Sequence, residues 1–232
     1  MFDTLILLSG PAEHSVFATL LRSYNPSLHV LPVFTAADLD AIEPQWLSGA
    51  RLVSFGGDVK VPAAIVAQLG YGAYHFHPGS PRYPGDTAVR DAIDDGASDF
   101  GCTMHRVTER AEAGPIVEVG IFTVTPGVSA GALEEMTYAA MVQLFWRMAG
   151  PLATKTAPLI ERAIRWSEPR HVPADEPQPR MFSPVMSRNQ AVRQIDEPFA
   201  RHVGIAPSLV PTERRLRLVS SDREMDVVEA DA

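Results

Sequence analysis

His75 and His77 stand two residues apart, and Pro78-Gly79-Ser80-Pro81-Arg82-Tyr83-Pro84-Gly85 follows at once. Side chains alternate along a strand, so histidines two apart share a face if a strand ends there. The prolines and glycines then force an irregular loop against which a ligand can sit. His-x-His is also a metal-ligand spacing, and a catalytic zinc would need a third ligand from His105, Glu109 or Glu112. No metal is expected here. Taken singly, His77 reads as a hydrogen-bonded loop histidine; the pair and the loop composition favour a site.

Glu112 precedes Ala113-Gly114-Pro115, between two strand-like segments. A carboxylate there can orient a histidine, as the acid of a catalytic triad does. It can equally be a solvated loop charge, and Glu109 is its rival. Gly56-Gly57 after a strand suits close approach of a ligand to backbone. There is no Gly-x-Gly-x-x-Gly fingerprint and no Walker loop. Cys102 falls inside a strand-like run and reads as core.

The elements that must position these groups follow from periodicity. Thr4–Leu8, His29–Phe34, Arg51–Phe55 and Gly72–Phe76 read as strands. Val16, Leu20 and Leu21 mark a helix to about Tyr24. Pro62 opens another to about Leu69. Asp86 or Thr87 caps a third, with Val89, Ala92 and Ile93 facing inward and Gly96 as its stop. Gly101–Val107 and Pro115–Val124 are strand-like. Ser129 caps the longest helix, whose stripe of Leu133, Met136, Ala140, Leu144 and Met148 reads as core. Strand and helix alternate through residue 100, which implies an α/β fold with a mostly parallel sheet covered on both faces. Such sheets take ligands at the carboxyl ends of their strands, where His75/His77 and Gly56-Gly57 both lie.

The chain has 232 residues, 46% of them hydrophobic, enough for one sizeable core. A net charge of −8 argues against nucleic acid as a bulk electrostatic partner. One cysteine excludes an intramolecular disulfide. Neither a signal peptide nor a membrane helix is read, so a cytoplasmic protein is expected. After Trp166 the composition changes: Pro169, Pro173, Pro177, Pro179 and Pro184 break up any helix. Residues 1–165 are expected to form the catalytic domain, and 166–232 a Pro-rich C-terminal extension or small subdomain, for which closing a partner's site and forming a homodimer contact are both open roles.

Taken together, these motifs resemble the folate-dependent formyltransferases, the group acting on glycinamide ribonucleotide, methionyl-tRNA and sugar amines. That family carries Asn-x-His-Pro at a strand end, then a Pro/Tyr-Pro-Gly loop. About 35 residues later it has Asp-Ala-Gly or Asp-Gly-Gly, then Pro and an apolar strand. Here these are His75-Phe76-His77-Pro78 with Pro81-Arg82-Tyr83-Pro84-Gly85, and Glu112-Ala113-Gly114-Pro115-Ile116. Gly101-Cys102-Thr103-Met104-His105 looks like the family's Gly-x-Thr-x-His strand. The resemblance spans about residues 50–150.

It implies a Rossmann-like formyltransferase fold and 10-formyltetrahydrofolate as formyl donor. It implies a catalytic set of His77, His75 and Glu112, and a pterin site on Phe55, Gly56, Gly57, Asp58, Val59, Val61 and Gly114. His75 stands where the family has asparagine, and Glu112 where it has aspartate. The asparagine donates to the formyl oxygen as it becomes an oxyanion, and losing such a donor costs roughly 3–4 kcal/mol of barrier lowering. A histidine can also donate. Pairing with Glu112 would raise the pKa of His77. Pro11 and Glu13 after the first strand argue against a phosphate-bearing acceptor, and the acidic chain argues against tRNA. The reading is formyl transfer to a small amine; the alternatives are a catalytically lapsed folate-binding module and a 10-formyltetrahydrofolate hydrolase.

Overall fold

A computed structural model describes residues 2–57, 59–108 and 114–168. Six strands form one sheet: β1 (Thr4–Leu8), β2 (His29–Val33), β3 (Ala50–Phe55), β4 (Ala73–His77), β5 (Asp99–Arg106) and β6 (Ile116–Thr123). Their spatial order is β2-β1-β3-β4-β5-β6. The first four are parallel, while β5 runs antiparallel to β4 and β6 antiparallel to β5. The expected mostly parallel sheet is therefore present, with a hairpin on one edge. β1 and β3 are buried along their whole length, as strands covered on both faces must be.

Helices α1 (Pro11–Tyr24) and α6 (Ala130–Thr154) cover one face. Phe17, Leu20, Leu21, Leu144 and Phe145 pack there against Leu5, Leu7, Val53, Phe55, Tyr74 and Phe76. The short helices α2 (Ala36–Asp40), α3 (Pro44–Leu47) and α4 (Ala63–Val66) cover the other. Leu39, Leu47 and Ile65 meet Ile6, Leu8, Leu52 and Ala73. Helix α5 (Ala88–Asp94) follows the Pro/Gly loop and packs on Tyr83 and Phe100. Among the described residues, no helix is long and apolar enough to cross a membrane.

Several local expectations need correction. β4 runs to His77, so both histidines belong to the strand. Pro62 is the N-cap of α4, which stops at Val66, short of the expected Leu69. Thr87 is the N-cap of α5, yet its hydroxyl donates to the Asp91 carboxylate and not into a cap. Ile93 is exposed, because the buried face of α5 is Ala88, Val89 and Ala92. In α6 Leu133 and Leu144 of the expected stripe are buried, joined by Tyr138, Met141, Phe145 and Leu152, while Met136, Ala140 and Met148 are only half-buried. Ser129 caps α6 as expected, accepting from Ala132 N–H. Helix α2 was not anticipated, although Thr35 and Asp38 form a capping box there.

Arg51 is fully buried on the α1/α6 face without a carboxylate partner among the described residues. Its guanidinium donates to the carbonyls of Tyr71, Pro151, Leu152, Lys155 and Ala157. Four of those lie at or just beyond the C-terminus of α6, where carbonyls lack intrahelical donors and the dipole favours a cation. The side chain also lies under the Phe2 ring, 4.7 Å from its centroid. Burial pushes its pKa down. Arg51→Ala leaves these carbonyls unpaired inside the protein. It is expected to destabilise the fold by about 3–5 kcal/mol, comparable to breaking a buried ionic network. Urea denaturation measures this; a loss under about 1 kcal/mol would show the carbonyls to be solvated without it.

Candidate active site

The side chains that could do chemistry gather where the parallel part of the sheet meets the antiparallel part. Ser54 on β3 is in register with His75 on β4. His75 in turn lies opposite His105 on β5, and His77 opposite Thr103. Residues directly opposite share a face, as do residues two apart, so Ser54, His75, His77, Thr103 and His105 all project to one side. The ring centroids lie 6.1 Å apart for His75 and His77, 5.4 Å for His75 and His105, and 6.3 Å for His77 and His105.

These rings are kept neutral. His77 is 1% exposed and His105 3%, while His75 is half-buried and presents the most accessible edge. Burial pushes the pKa of His75 down to about 3, with His105 adding to the effect. Burial also holds His77 well below 6.5, reinforced by its two imidazole neighbours. His105 is lowered by burial as well. Desolvation prevails at His77 among the described residues; the rise expected from pairing with Glu112 concerns a residue that lies outside them. The tautomer of His105 follows from its partner. A carbonyl only accepts, so Nδ1–H donates to Arg106 O at 3.0 Å, and Nε2 carries a bare lone pair. The Nε2 atoms of His77 and His105 and the Ser80 hydroxyl are buried with no hydrogen-bond partner among the described residues. Such atoms are rare in folded proteins and mark places where a ligand or water is received.

The loop after His77 is pinned against the ring. Thr103 Oγ1 donates to Gly79 O at 2.7 Å. A Cβ on Gly79 would lie 2.6 Å from His77 Nε2 and 2.7 Å from Tyr83 O, so only glycine lets the loop pass this close. The segment beyond α6 then brings a roof. Leu159 N–H donates to Tyr74 Oη, and Arg162 N–H to Ile116 O. Trp166 Nε1 donates to Gly114 O at 2.8 Å, and its ring stands edge-on to His77 and His105, 5.7 and 5.4 Å between centroids. Ser167 N–H closes onto Pro81 O. Beside this roof a cavity of about 200 Å³ is lined by Arg82, Tyr83, Asp91, Asp95 and Glu168, among others.

Of the residues singled out in the sequence, His75 and His77 come together as the strand spacing requires. Glu112 and Asp58 lie outside the described residues, as does Glu109. The Phe55 ring is 5% exposed and packs on Phe17, Phe76, Tyr138 and Phe145, which leaves its backbone at the strand end. Gly56 and Gly57 have φ of 58° and 78°, and a Cβ on Gly57 would meet nothing within 4 Å. Val59 and Val61 pack partly on the α2–α4 side. Gly114 abuts Arg106 O so closely that a Cβ would overlap it. Cys102 is core, and burial pushes its thiol up to about 12. No group of three His, Cys, Asp or Glu among the described residues is placed to hold a metal ion. Sequence reasoning missed Ser54, which needs the β3–β4 register to be found. It also missed Trp166, which it used only to mark a change of composition.

Comparison with known proteins bears on what this arrangement serves. Residues 60–148 match the family model described as formyl transferase. A methionyl-tRNA formyltransferase from Brucella ovis is 26% identical over 140 residues, covering 57% of this chain and 45% of that protein. The chain thus spans about half the length of the curated relative it matches. The fold is similar to a sugar N-formyltransferase from Shewanella, with a TM-score of 0.61 at 12% identity over 84% of this chain and 88% of that one. It is also similar to a methionyl-tRNA formyltransferase from Clostridium thermocellum, with a TM-score of 0.55 at 14% identity over 76% and 78%.

Neutral buried imidazoles make stability depend on pH. In the unfolded chain each histidine takes up a proton as pH falls below 6.5, while in the fold it stays neutral until a lower pH, near 3 for His75. Their contribution is complete above pH 6.5 and is lost below it, by up to about 1.4 kcal/mol per pH unit for each such ring. Urea midpoints are expected to fall from pH 7 to pH 5, and to fall less steeply in His75→Asn. Equal slopes for the two proteins would contradict the burial of a neutral His75.

Proposed function

We propose that this chain belongs to the formyltransferase family, whose model residues 60–148 match, and that it moves a formyl group from 10-formyltetrahydrofolate to a small amine. The observation carrying this reading is the cluster of His75, His77 and His105, in which the buried Nε2 atoms of His77 and His105 have no hydrogen-bond partner among the described residues. Formyl transfer needs a donor for the carbonyl oxygen as it becomes an oxyanion, and a base for the proton that the attacking amine gives up. Neutral imidazoles can do either.

In this reading the uncharged amine attacks the formyl carbon and a C–N bond forms. His77 and His75 stabilise the tetrahedral oxyanion. The bond to the folate nitrogen then breaks, and that nitrogen receives the proton lost by the amine, relayed by His77. Glu112 is assigned the orienting part by its position in the resembled motif. The folate would lie against the backbone of Phe55, Gly56 and Gly57, whose left-handed glycines leave space for a ligand, with Asp58, Val59, Val61 and Gly114 around it.

Two features support a small amine as acceptor. The Glu13 carboxylate folds back over Gly10 and accepts from Tyr138 Oη at 2.8 Å, so the N-terminus of α1 already faces a negative charge where a phosphate would sit. The cavity beside Trp166 carries the carboxylates of Asp91, Asp95 and Glu168 against one guanidinium, Arg82, a balance suited to an amine-bearing molecule.

Turnover of 10-formyltetrahydrofolate with a panel of amino sugars and other small amines tests the proposal. His77→Ala is expected to lower kcat by about 10²–10³-fold. Folate binding without turnover would overturn transfer in favour of a binding module. Formate release without any amine would make the protein a hydrolase.

A further inference from the structure

Ser54 is 2% exposed, and its Oγ lies 3.2 Å from His75 Nδ1, with the two residues in register on neighbouring strands. This is the one hydrogen bond the hydroxyl makes among the described residues. Its direction decides the chemistry of His75. If Nδ1–H donated to the hydroxyl, the hydroxyl proton would be buried with no acceptor among the described residues, an arrangement that folded proteins avoid. If the hydroxyl donates to Nδ1, its buried proton has an acceptor, and the ring proton moves to the more accessible Nε2 edge, where a ligand can take it. A neutral imidazole then carries its single proton on Nε2.

The neighbouring ring is set the other way. His105 spends Nδ1–H on Arg106 O and keeps a bare Nε2. Two rings 5.4 Å apart therefore hold opposite tautomers, one offering a donor and the other an acceptor. An asparagine amide presents a donor without any such control, and a histidine needs a neighbour to select the tautomer.

We propose that Ser54 is a positioning residue that fixes His75 in the Nε2–H tautomer, so that this ring donates to the formyl oxygen where the resembled family has an asparagine amide. The donor role rests on the formyl-transfer reading; the tautomer does not. Ser54→Thr keeps the hydroxyl and Ser54→Ala removes it.

Long-range 1H–15N spectra of 15N-histidine-labelled protein read the tautomer directly. For the wild type and Ser54→Thr, His75 is expected to show a protonated, pyrrole-like Nε2 and a bare, pyridine-like Nδ1. Ser54→Ala is expected to give a mixture. In the transfer assay Ser54→Ala should lower kcat by about 10–100-fold with KM for the folate little changed, part of what removing an oxyanion donor costs. In a His75→Asn background the same substitution should change kcat less than about 2-fold, as expected when the partner it acts through is gone. A wild-type His75 protonated on Nδ1 overturns the proposal whatever the assay gives. An equal loss in both backgrounds overturns the positioning role. If no amine is formylated by the wild type, the transfer reading fails and the donor role with it, while the spectra still decide the tautomer.

Discussion

The Arg51 guanidinium is the contact on which the arrangement around the imidazoles depends. Among the described residues this buried cation meets carbonyls and aromatic rings and no carboxylate, and four of its five carbonyls belong to the end of α6 and to the segment that leaves it. Burying a charge is costly unless each of its donors is satisfied. Here the cost is offset by capping a 25-residue helix and fixing the exit of the chain beyond it. The exit matters because the next dozen residues run past Tyr74 and the edge of β6 to lay Trp166 on His77 and His105. The Arg162–Glu118 and Arg106–Glu161 pairs lie along the same path, but both are substantially exposed and contribute little beside the buried guanidinium.

That roof explains the electrostatics beneath it. Three imidazoles on adjacent strands would repel one another if protonated, and would gain protons readily in water. Covered by indole and by the Pro/Gly loop, they stay neutral, and a neutral ring is at once a donor and an acceptor. What each ring does is then a matter of which nitrogen is engaged by the scaffold. Arg106 O engages Nδ1 of His105, and the Ser54 hydroxyl engages Nδ1 of His75. Roles that the family resemblance assigns to chemically distinct side chains are here distributed among like side chains by their neighbours.

Strand identities were legible because β1, β3 and β4 are short runs of β-branched, aliphatic and aromatic residues ended by glycine or proline. The shared face of His75 and His77 follows from the two-residue repeat alone. His105 needed the β4–β5 pairing, and Ser54 the β3–β4 register, neither of which local periodicity contains. The buried face of α6 was legible in part, through Leu133 and Leu144, because that helix is apolar nearly all round: Met136 and Met148 look as eligible as Met141, and packing against α1, β5 and β6 decides. Phe55 reads as a site residue from its place before Gly56-Gly57, yet alternation along β3 sends its ring into the core. Trp166 has no local signal, since it reaches the site through a path set by Arg51, more than a hundred residues earlier.

A crystal structure of the protein with a stable analogue of 10-formyltetrahydrofolate tests the central claim most directly. The account predicts the formyl oxygen within hydrogen-bond reach of His75 Nε2, about 2.7–3.1 Å. The formyl carbon should face His77, with the pterin against Gly56 and Gly57. A folate bound with its formyl group away from all three imidazoles would contradict it.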